Sequence, residues 1–323
     1  VIGMLIGWFA VGSGSRFTET KPSLMTINAS VLLPKTAPLA DASVIQYGAS
    51  RPNIAMASDG SFFVYAAKTG QSTMLYKRKL DEDLVEAING TEGGFAPFLS
   101  PDNRWVAYIA DNKLKKVSLS GGAPQILTDA PNSVGGTWAD NGLIYCTIRE
   151  GGLLFSINEN GGETKLVEVH DRLQVEGYPG VLWPHALPGG RQLLVTSQQN
   201  PQKRYAIHLL DVEKGESRQL VFDGGCPQFL SSGHIVYCRK ADLFSVGFNM
   251  ETLKLEGAEQ LVQQSVRSEG RYASQFSVAK DTGTLVYLPG VFAGYGELAW
   301  VDRDGNELSL GLKERVYGTL SIS

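Results

Sequence analysis

The chain has 323 residues, with 29 lysines and arginines against 33 acidic residues and a net charge of −4. That balance leaves no electrostatic footprint for nucleic acid or an anionic lipid surface, so no nucleic-acid partner is expected. Hydrophobic residues at 43% exclude wholesale disorder, and 37 glycines, about 11% against a usual ~7%, point to many tight turns between short strands.

Residues 1–12 carry no charge. A bilayer core needs ~20 apolar residues, so this run fits the last two-thirds of a transmembrane helix. Trp8 would sit near the exit, with Gly12-Ser13-Gly14-Ser15 as linker, giving a domain boundary at residue 15. A signal-peptide core and a strand buried in the domain are the alternatives, although no Ala-x-Ala cleavage site follows. Residues 16–49 form an N-terminal extension in which Leu24–Leu33 is strand-like. Such a strand is expected to close a ring by completing the last unit.

From residue 50 a repeat sets the fold. Six phrases join a turn to a hydrophobic strand: Ser58-Asp59-Gly60 before Phe62-Phe63-Val64-Tyr65, and Ser100-Pro101-Asp102-Asn103 before Trp105-Val106-Ala107-Tyr108. Next are Asp140-Asn141-Gly142 before Leu143-Ile144-Tyr145 and Pro188-Gly189-Gly190 before Leu193-Leu194-Val195. The last two are Ser231-Ser232-Gly233 before Ile235-Val236-Tyr237 and Asp281-Thr282-Gly283 before Leu285-Val286-Tyr287. The turn-closing residues 60, 103, 142, 190, 233 and 283 are 39 to 50 residues apart. Each unit has a second half, such as Leu114–Leu119, then Gly121-Gly122, then Pro124–Thr128. Units of ~40–45 residues with four short strands are the blade signature of a β-propeller.

The expected fold is therefore all-β, a six-bladed β-propeller of four-stranded antiparallel blades over residues 50–318. Residues 319–323 would begin a further strand or blade. The best helical candidate, Leu80 to Ile88, is short and falls where the hairpin of the first blade belongs.

Three cysteines, Cys146, Cys226 and Cys238, cannot all pair with one another, and none has a metal-ligand spacing. Cys146 and Cys238 end similar strand phrases and read as small buried residues.

Phe98–Tyr108, Leu114–Gly122 and Leu298–Gly305 resemble TolB-type propeller repeats. More narrowly, they resemble the propeller carried C-terminal to the membrane helix of bacterial receptor-type serine/threonine protein kinases. The resemblance covers residues 16–323 and implies a non-catalytic sensor or scaffold domain outside the cytoplasm, periplasmic or at the cell surface. It would be anchored to the membrane through the N-terminal helix, with the kinase domain ahead of residue 1. The alternatives are a free-standing TolB-like periplasmic binding protein, or a propeller hydrolase with its site at the channel mouth.

No catalytic motif supports the hydrolase. No serine has glycines at −2 and +2, and none of His170, His185, His208 and His234 forms a His-Glu-x-x-His. Asp302–Glu307 lacks the glycine and glutamate positions of a calcium loop, so neither a metal nor a cofactor is expected. A hydrolase would need two carboxylates facing the channel, whereas the expected channel strands carry Phe98, Trp138, Trp183, Phe229 and Phe276. Lys77-Arg78-Lys79 and Lys113-x-Lys115-Lys116 read as solvated strand faces.

A binding patch for a protein or small ligand is expected on one rim. Three blade entrances share an acidic-glycine-aromatic pattern, with Glu92 and Phe95, Glu176 and Tyr178, and Glu269, Arg271 and Tyr272 as candidate contacts. The competing reading is that the glycines serve the interblade turns and the aromatic rings fill the core.

Overall fold

The turn phrases act as their residues dictate. Gly60, Asn103, Gly142, Gly190, Gly233 and Gly283 all have φ between 58° and 78°, the left-handed region where glycine costs least and asparagine is tolerated. A backbone hydrogen bond closes each turn, from Gly60 N to Ala57 O at 3.0 Å and from Asn103 N to Ser100 O at 2.9 Å, for example. The reversals lead antiparallel strands back beside one another.

A computed structural model of the chain describes residues 2–6, 27–40, 52–148, 152–169, 180–198, 205–269, 273–290, 299–301 and 307–311. Five four-stranded antiparallel blades are each built from consecutive strands. Blade 1 holds Ile54–Met56, Phe62–Thr69, Ser72–Lys79 and Val85–Ala87. Blade 2 holds Phe95–Leu99, Trp105–Ala110, Lys113–Ser118 and Gln125–Asp129. Blade 3 holds Ser133–Trp138, Leu143–Ile148, Leu153–Asn158 and Lys165–Leu166. Blade 4 runs through Leu182–Ala186, Gln192–Gln198, Tyr205–Asp211 and Ser217–Phe222. Blade 5 runs through Gly225–Leu230, His234–Arg239, Asp242–Asn249 and Lys254–Gln263. The helical candidate over Leu80–Ile88 is instead a turn followed by the outer strand Val85–Ala87.

The last sheet departs from the expected pattern of four consecutive strands. Phe276–Val278 and Thr284–Tyr287 supply its first two strands, but Ile2–Ile6 pairs with the second and Ile27–Val31 with Ile2–Ile6. Residues 2–6, expected as the end of a transmembrane helix, are thus an extended strand with ladder partners on both sides, Leu285 and Asn28 at Leu5. Among the described residues no helix is long and apolar enough to cross a membrane. Ile2–Ile6 takes the side of Thr284–Tyr287 where the next strand in sequence would pair, and Ala299–Val301 pairs instead with Glu307–Ser309 as a separate hairpin. The expected strand within Leu24–Leu33 is present and outermost. The expected strand at 319–323 lies outside the described residues.

Each sheet buries both faces only between neighbours, and the core is a ring of interblade clusters. Val64 and Leu75 of blade 1 pack with Val106 and Tyr108 of blade 2. Leu194 and Ile207 of blade 4 pack with Phe229 and Ile235 of blade 5. Phe63 and Tyr65 pack with Val286 of the composite sheet, which also meets blade 5 through Phe276 and Leu230. Two of the buried tyrosines bond backbone carbonyls through their hydroxyls: Tyr108 donates to Gly90 O and Tyr145 to Gly190 O, each at 3.0 Å. The latter bond ties blade 3 to blade 4.

Candidate functional site

The first strand of every blade faces the ring axis, and four of these strands carry the same irregularity. In blades 2 to 5 the ladder register shifts between Phe95 and Phe98, Ser133 and Gly135, Leu182 and His185, and Gly225 and Gln228. At the bulge sits a residue with positive φ: Ala96 at 50°, Gly135 at 129°, Trp183 at 44° and Cys226 at 49°. In three of the four, proline follows: Pro97, Pro184 and Pro227. Proline has no N–H to lose from a ladder, so a bulge can hold it where a regular inner strand could not. Bulges re-aim the backbone and cluster at barrel rims and sites. The Ala-Pro, Trp-Pro and Cys-Pro pairs were the sequence signal for these bulges, and the turn-and-strand pattern did not contain it.

The bulged strands enclose a cavity of about 270 Å³ on the axis. Its mouth is formed by the inner hairpin turns, including Ser58, Asn103, Asp140, Lys280 and Asp281. Aromatic residues expected on the channel strands do line it, namely Phe98, Trp138, Trp183 and Phe276. Phe229 is buried in the cluster between blades 4 and 5 instead.

Hydrogen bonds lock the mouth from blade to blade. The Ser58 amide donates to Asn103 Oδ1 at 3.0 Å, and Asn103 Nδ2 donates to Ser58 Oγ at 2.9 Å. Asp140 accepts the Gly189 amide on both oxygens, at 3.0 and 2.9 Å. Ser231 Oγ donates to Asp281 at 2.7 Å, and the Asp281 amide donates to Ser58 O at 2.8 Å. Deeper in, the Met56 amide donates to Ser277 Oγ and the Val278 amide to Gln228 Oε1, both at 2.9 Å. Preformed walls of this kind lower the ordering cost of binding.

The two carboxylates among the described lining residues, Asp140 and Asp281, are thus engaged as ties between turns. Lys280 is the one lysine or arginine among the described lining residues. His185 lies beside it, partly buried. Burial, then the Lys280 ammonium, bring its imidazole down to about 4 against a hydrogen bond to the Phe229 backbone that pulls it up. At neutral pH the ring is uncharged. Among the described residues no three His, Cys, Asp or Glu side chains are grouped to hold a metal.

The rim candidates lie elsewhere. Phe95 opens the inner strand of blade 2 and packs into the clusters on both sides of that blade, so its ring fills the interblade core. Glu92 is exposed in the preceding turn, and Glu269 lies in the short strand Ser268–Glu269. Glu176, Tyr178, Arg271 and Tyr272 fall outside the described residues. The cavity opens at the other end of the inner strands from Phe95.

Two of the basic strand residues read as solvated are buried: Arg78 is 6% and Lys116 4% exposed. Each sits on the strand face turned toward a neighbouring element rather than toward water. Arg78 reaches Asp83 at 2.9 Å.

No protein-family model matches the sequence, and no curated protein matches it either. Solved structures do. TolB from Acinetobacter baumannii aligns with a TM-score of 0.51 at 15% identity, over 66% of this chain and 54% of that one, so this chain spans about half that TolB. A TolB from Agrobacterium tumefaciens aligns with a TM-score of 0.53 at 17% identity, over 74% of this chain and 90% of its own. The Cps50 (Swd1) β-propeller domain of Myceliophteria thermophila aligns at 0.51 with 12% identity, covering 84% and 89%. At such identities the likeness is one of fold. The chain is a β-propeller of four-stranded antiparallel blades, similar in architecture to TolB.

Proposed function

We propose that this propeller is a non-catalytic binding domain, a sensor or scaffold, whose ligand enters the mouth of the axial channel. One observation carries the reading: a cavity of about 270 Å³, walled by bulged inner strands and rimmed by turns tied to one another. Clefts of roughly this size with a few convergent polar groups are the usual binding sites of such folds. The two carboxylates at the mouth serve structure, so among the described lining residues no acid and base pair is left for hydrolysis. We further take the composite sheet as a sixth blade, because Gln275 and Ser277 accept amides of blade 1 while Gln228 of blade 5 accepts that of Val278.

The setting follows from the sequence resemblance alone: an extracytoplasmic domain of a membrane-anchored receptor-type serine/threonine kinase. Reading the gene upstream of the Val1 codon tests it, since a kinase domain would bring a glycine-rich loop, His-Arg-Asp and Asp-Phe-Gly.

The binding reading is tested by a thermal-shift screen of chemically diverse small molecules and peptides. Each hit is repeated on Lys280→Glu and then recovered to check that it is intact. Hits that lose their shift on Lys280→Glu and come back unchanged support the reading. Hits that are consumed would make the protein an enzyme, and hits indifferent to Lys280→Glu would place the site elsewhere.

A further inference from the structure

A second pocket lies beside the channel mouth, between the Ser100–Arg104 turn of blade 2 and the Ala139–Gly142 turn of blade 3, with a volume of about 320 Å³. Its wall holds Lys116, from the third strand of blade 2. That side chain lies on the same strand face as Leu114, which packs into the core between blades 2 and 3. The Lys116 ammonium stands 4.7 Å from the ring centroid of Trp105 and 5.7 Å from that of Trp138.

The described carboxylates around it hold other groups, and none forms an ion pair with its ammonium. Asp102 accepts from Ser100 Oγ at 2.6 Å and from Arg104 Nε at 2.6 Å. Glu159 accepts the Trp138 indole N–H at 2.9 Å. Asp140 takes the Gly189 amide. The contacts that hold Lys116 are the two indole faces, which attract a cation but do not neutralise it. Taking an ammonium out of water is costly unless an opposite charge accompanies it. A lysine kept 4% exposed, with its ammonium opening onto a pocket, therefore fits a site whose counter-ion comes with the ligand.

We infer that this pocket between blades 2 and 3 binds a carboxylate with an apolar flank, the carboxylate on Lys116 and the flank along Trp105. The carboxylate could belong to a free small acid or to the C-terminus of a peptide, and the pairing chemistry is the same. The pocket adjoins the axial cavity and shares Ser100, Pro101, Trp138, Ala139 and Asp140 with it, but Lys116 lines only this pocket and Lys280 only the cavity, so failure of the Lys116 test would leave the channel reading intact.

The test uses the whole protein and its tryptophan fluorescence, because both indoles flank the ammonium. Phenylacetate and a tripeptide ending in a free phenylalanine carboxylate are titrated against phenylacetamide and the C-terminally amidated tripeptide. The carboxylates are expected to perturb the emission saturably and raise Tm, and the amides to bind at least about tenfold more weakly, the size of one charge-assisted hydrogen bond. A response to phenylacetate alone would assign a small acid, and one to the tripeptide alone a peptide C-terminus. Lys116→Met keeps the length without the charge and should abolish the carboxylate response while Tm holds or rises. Equal responses to carboxylates and amides, or none to any of the four probes, would overturn the inference without needing the variant to fold. A carboxylate response retained in Lys116→Met would overturn it as well.

Discussion

Blade 5 and the composite sheet have the same four-strand form and opposite origins. Blade 5 lies within Gly225–Gln263, and every pair of neighbouring strands is joined by a short turn. In the composite sheet the pair Leu5 and Leu285 is separated by nearly the whole chain. Closing so long a loop costs about 3 kcal/mol more than closing a hairpin of about 10 residues, since the penalty grows only with the logarithm of length. What offsets it is not the sheet itself. The composite sheet covers the outward faces of blades 1 and 5, through Phe63 and Tyr65 on one side and Leu230 and Val236 on the other. The segment after Val31 then continues onto blade 1, where the Ala40 amide donates to Ala66 O and Tyr65 donates to Ala37 O. A local blade is stabilised by its own turns, and the closing sheet by what it covers.

The largest test of that contrast removes the distant strand. A variant lacking residues 1–15 deprives Thr284–Tyr287 and Ile27–Val31 of their common partner. With net backbone hydrogen bonds at about 1 kcal/mol each, the loss should be on the order of 3–5 kcal/mol. For a chain of this size that is a fall in Tm of roughly 4–8 °C, read by calorimetry. An unchanged Tm would show that residues 2–6 contribute nothing to the sheet in solution, and it would return that uncharged run to the membrane-helix reading.

Blade 4 sharpens the comparison through pH, because its stability includes two neutral imidazoles. Burial lowers His208 to about 4, and burial with Lys280 lowers His185 to about 4. Their unfolded values lie near 6.5, so between about pH 6.5 and 4 the unfolded chain binds protons that the folded one refuses. Stability contributed by the neutral rings is whole above that window and declines as pH falls through it. In Tm against pH, His185→Gln with His208→Gln should flatten the slope between pH 6.5 and 4 and leave pH 7.5 to 8.5 unchanged. An identical slope in the double variant would mean that other groups govern acid unfolding. Burial likewise raises the thiols of Cys146 and Cys226, so a native-state thiol titration should find them unreactive until denaturant is added.

How much was legible follows the same division. The turn residues 60, 103, 142, 190, 233 and 283 announced the blades because turn chemistry is local, and all six adopt the conformation their types favour. Four of the five inner-strand aromatics were legible from their distance to those turns, whereas Phe229 turns into the core between blades 4 and 5. The composite sheet was only half legible: Ile27–Val31 reads as a strand, but a run of apolar residues such as Ile2–Ile6 has no period that separates helix from buried strand. The axial cavity was not legible at all, because it arises from bulges at corresponding places in separate blades. Nor was the burial of Lys116, since strand alternation places it on the Leu114 face without saying which face meets a neighbour.

A smaller test asks how much a single tie between local blades contributes. Tyr145→Phe removes the hydroxyl that donates to Gly190 O at 3.0 Å, and with it one link between blades 3 and 4. The loss should be about 1 kcal/mol, rising toward 2–3 if the carbonyl is left without a partner. Chemical denaturation at constant m-value reads it. A change below roughly 0.3 kcal/mol would show that packing alone fixes the blade 3 to blade 4 contact.

The smallest effect concerns the bulges themselves. Ala96 holds φ at 50° just before Pro97, a conformation that costs an L-residue roughly 1–2 kcal/mol and that residues preceding proline disfavour. Its methyl group is buried at 3% exposure, so Ala96→Gly loses a little packing and some unfolded-state restriction but releases the strain. The two contributions nearly cancel, and the expected change is within about 0.5 kcal/mol of zero, on the stabilising side if anything. Ala107→Gly, in the regular second strand of the same blade, has no strain to release and should cost about 1 kcal/mol. A difference of that sign between two buried alanines of one blade would show that the inner strand is held bent by its surroundings, as a preformed channel wall requires. Equal losses at both positions would mean that the bulge is relaxed, and that the cavity owes its shape to the side chains alone.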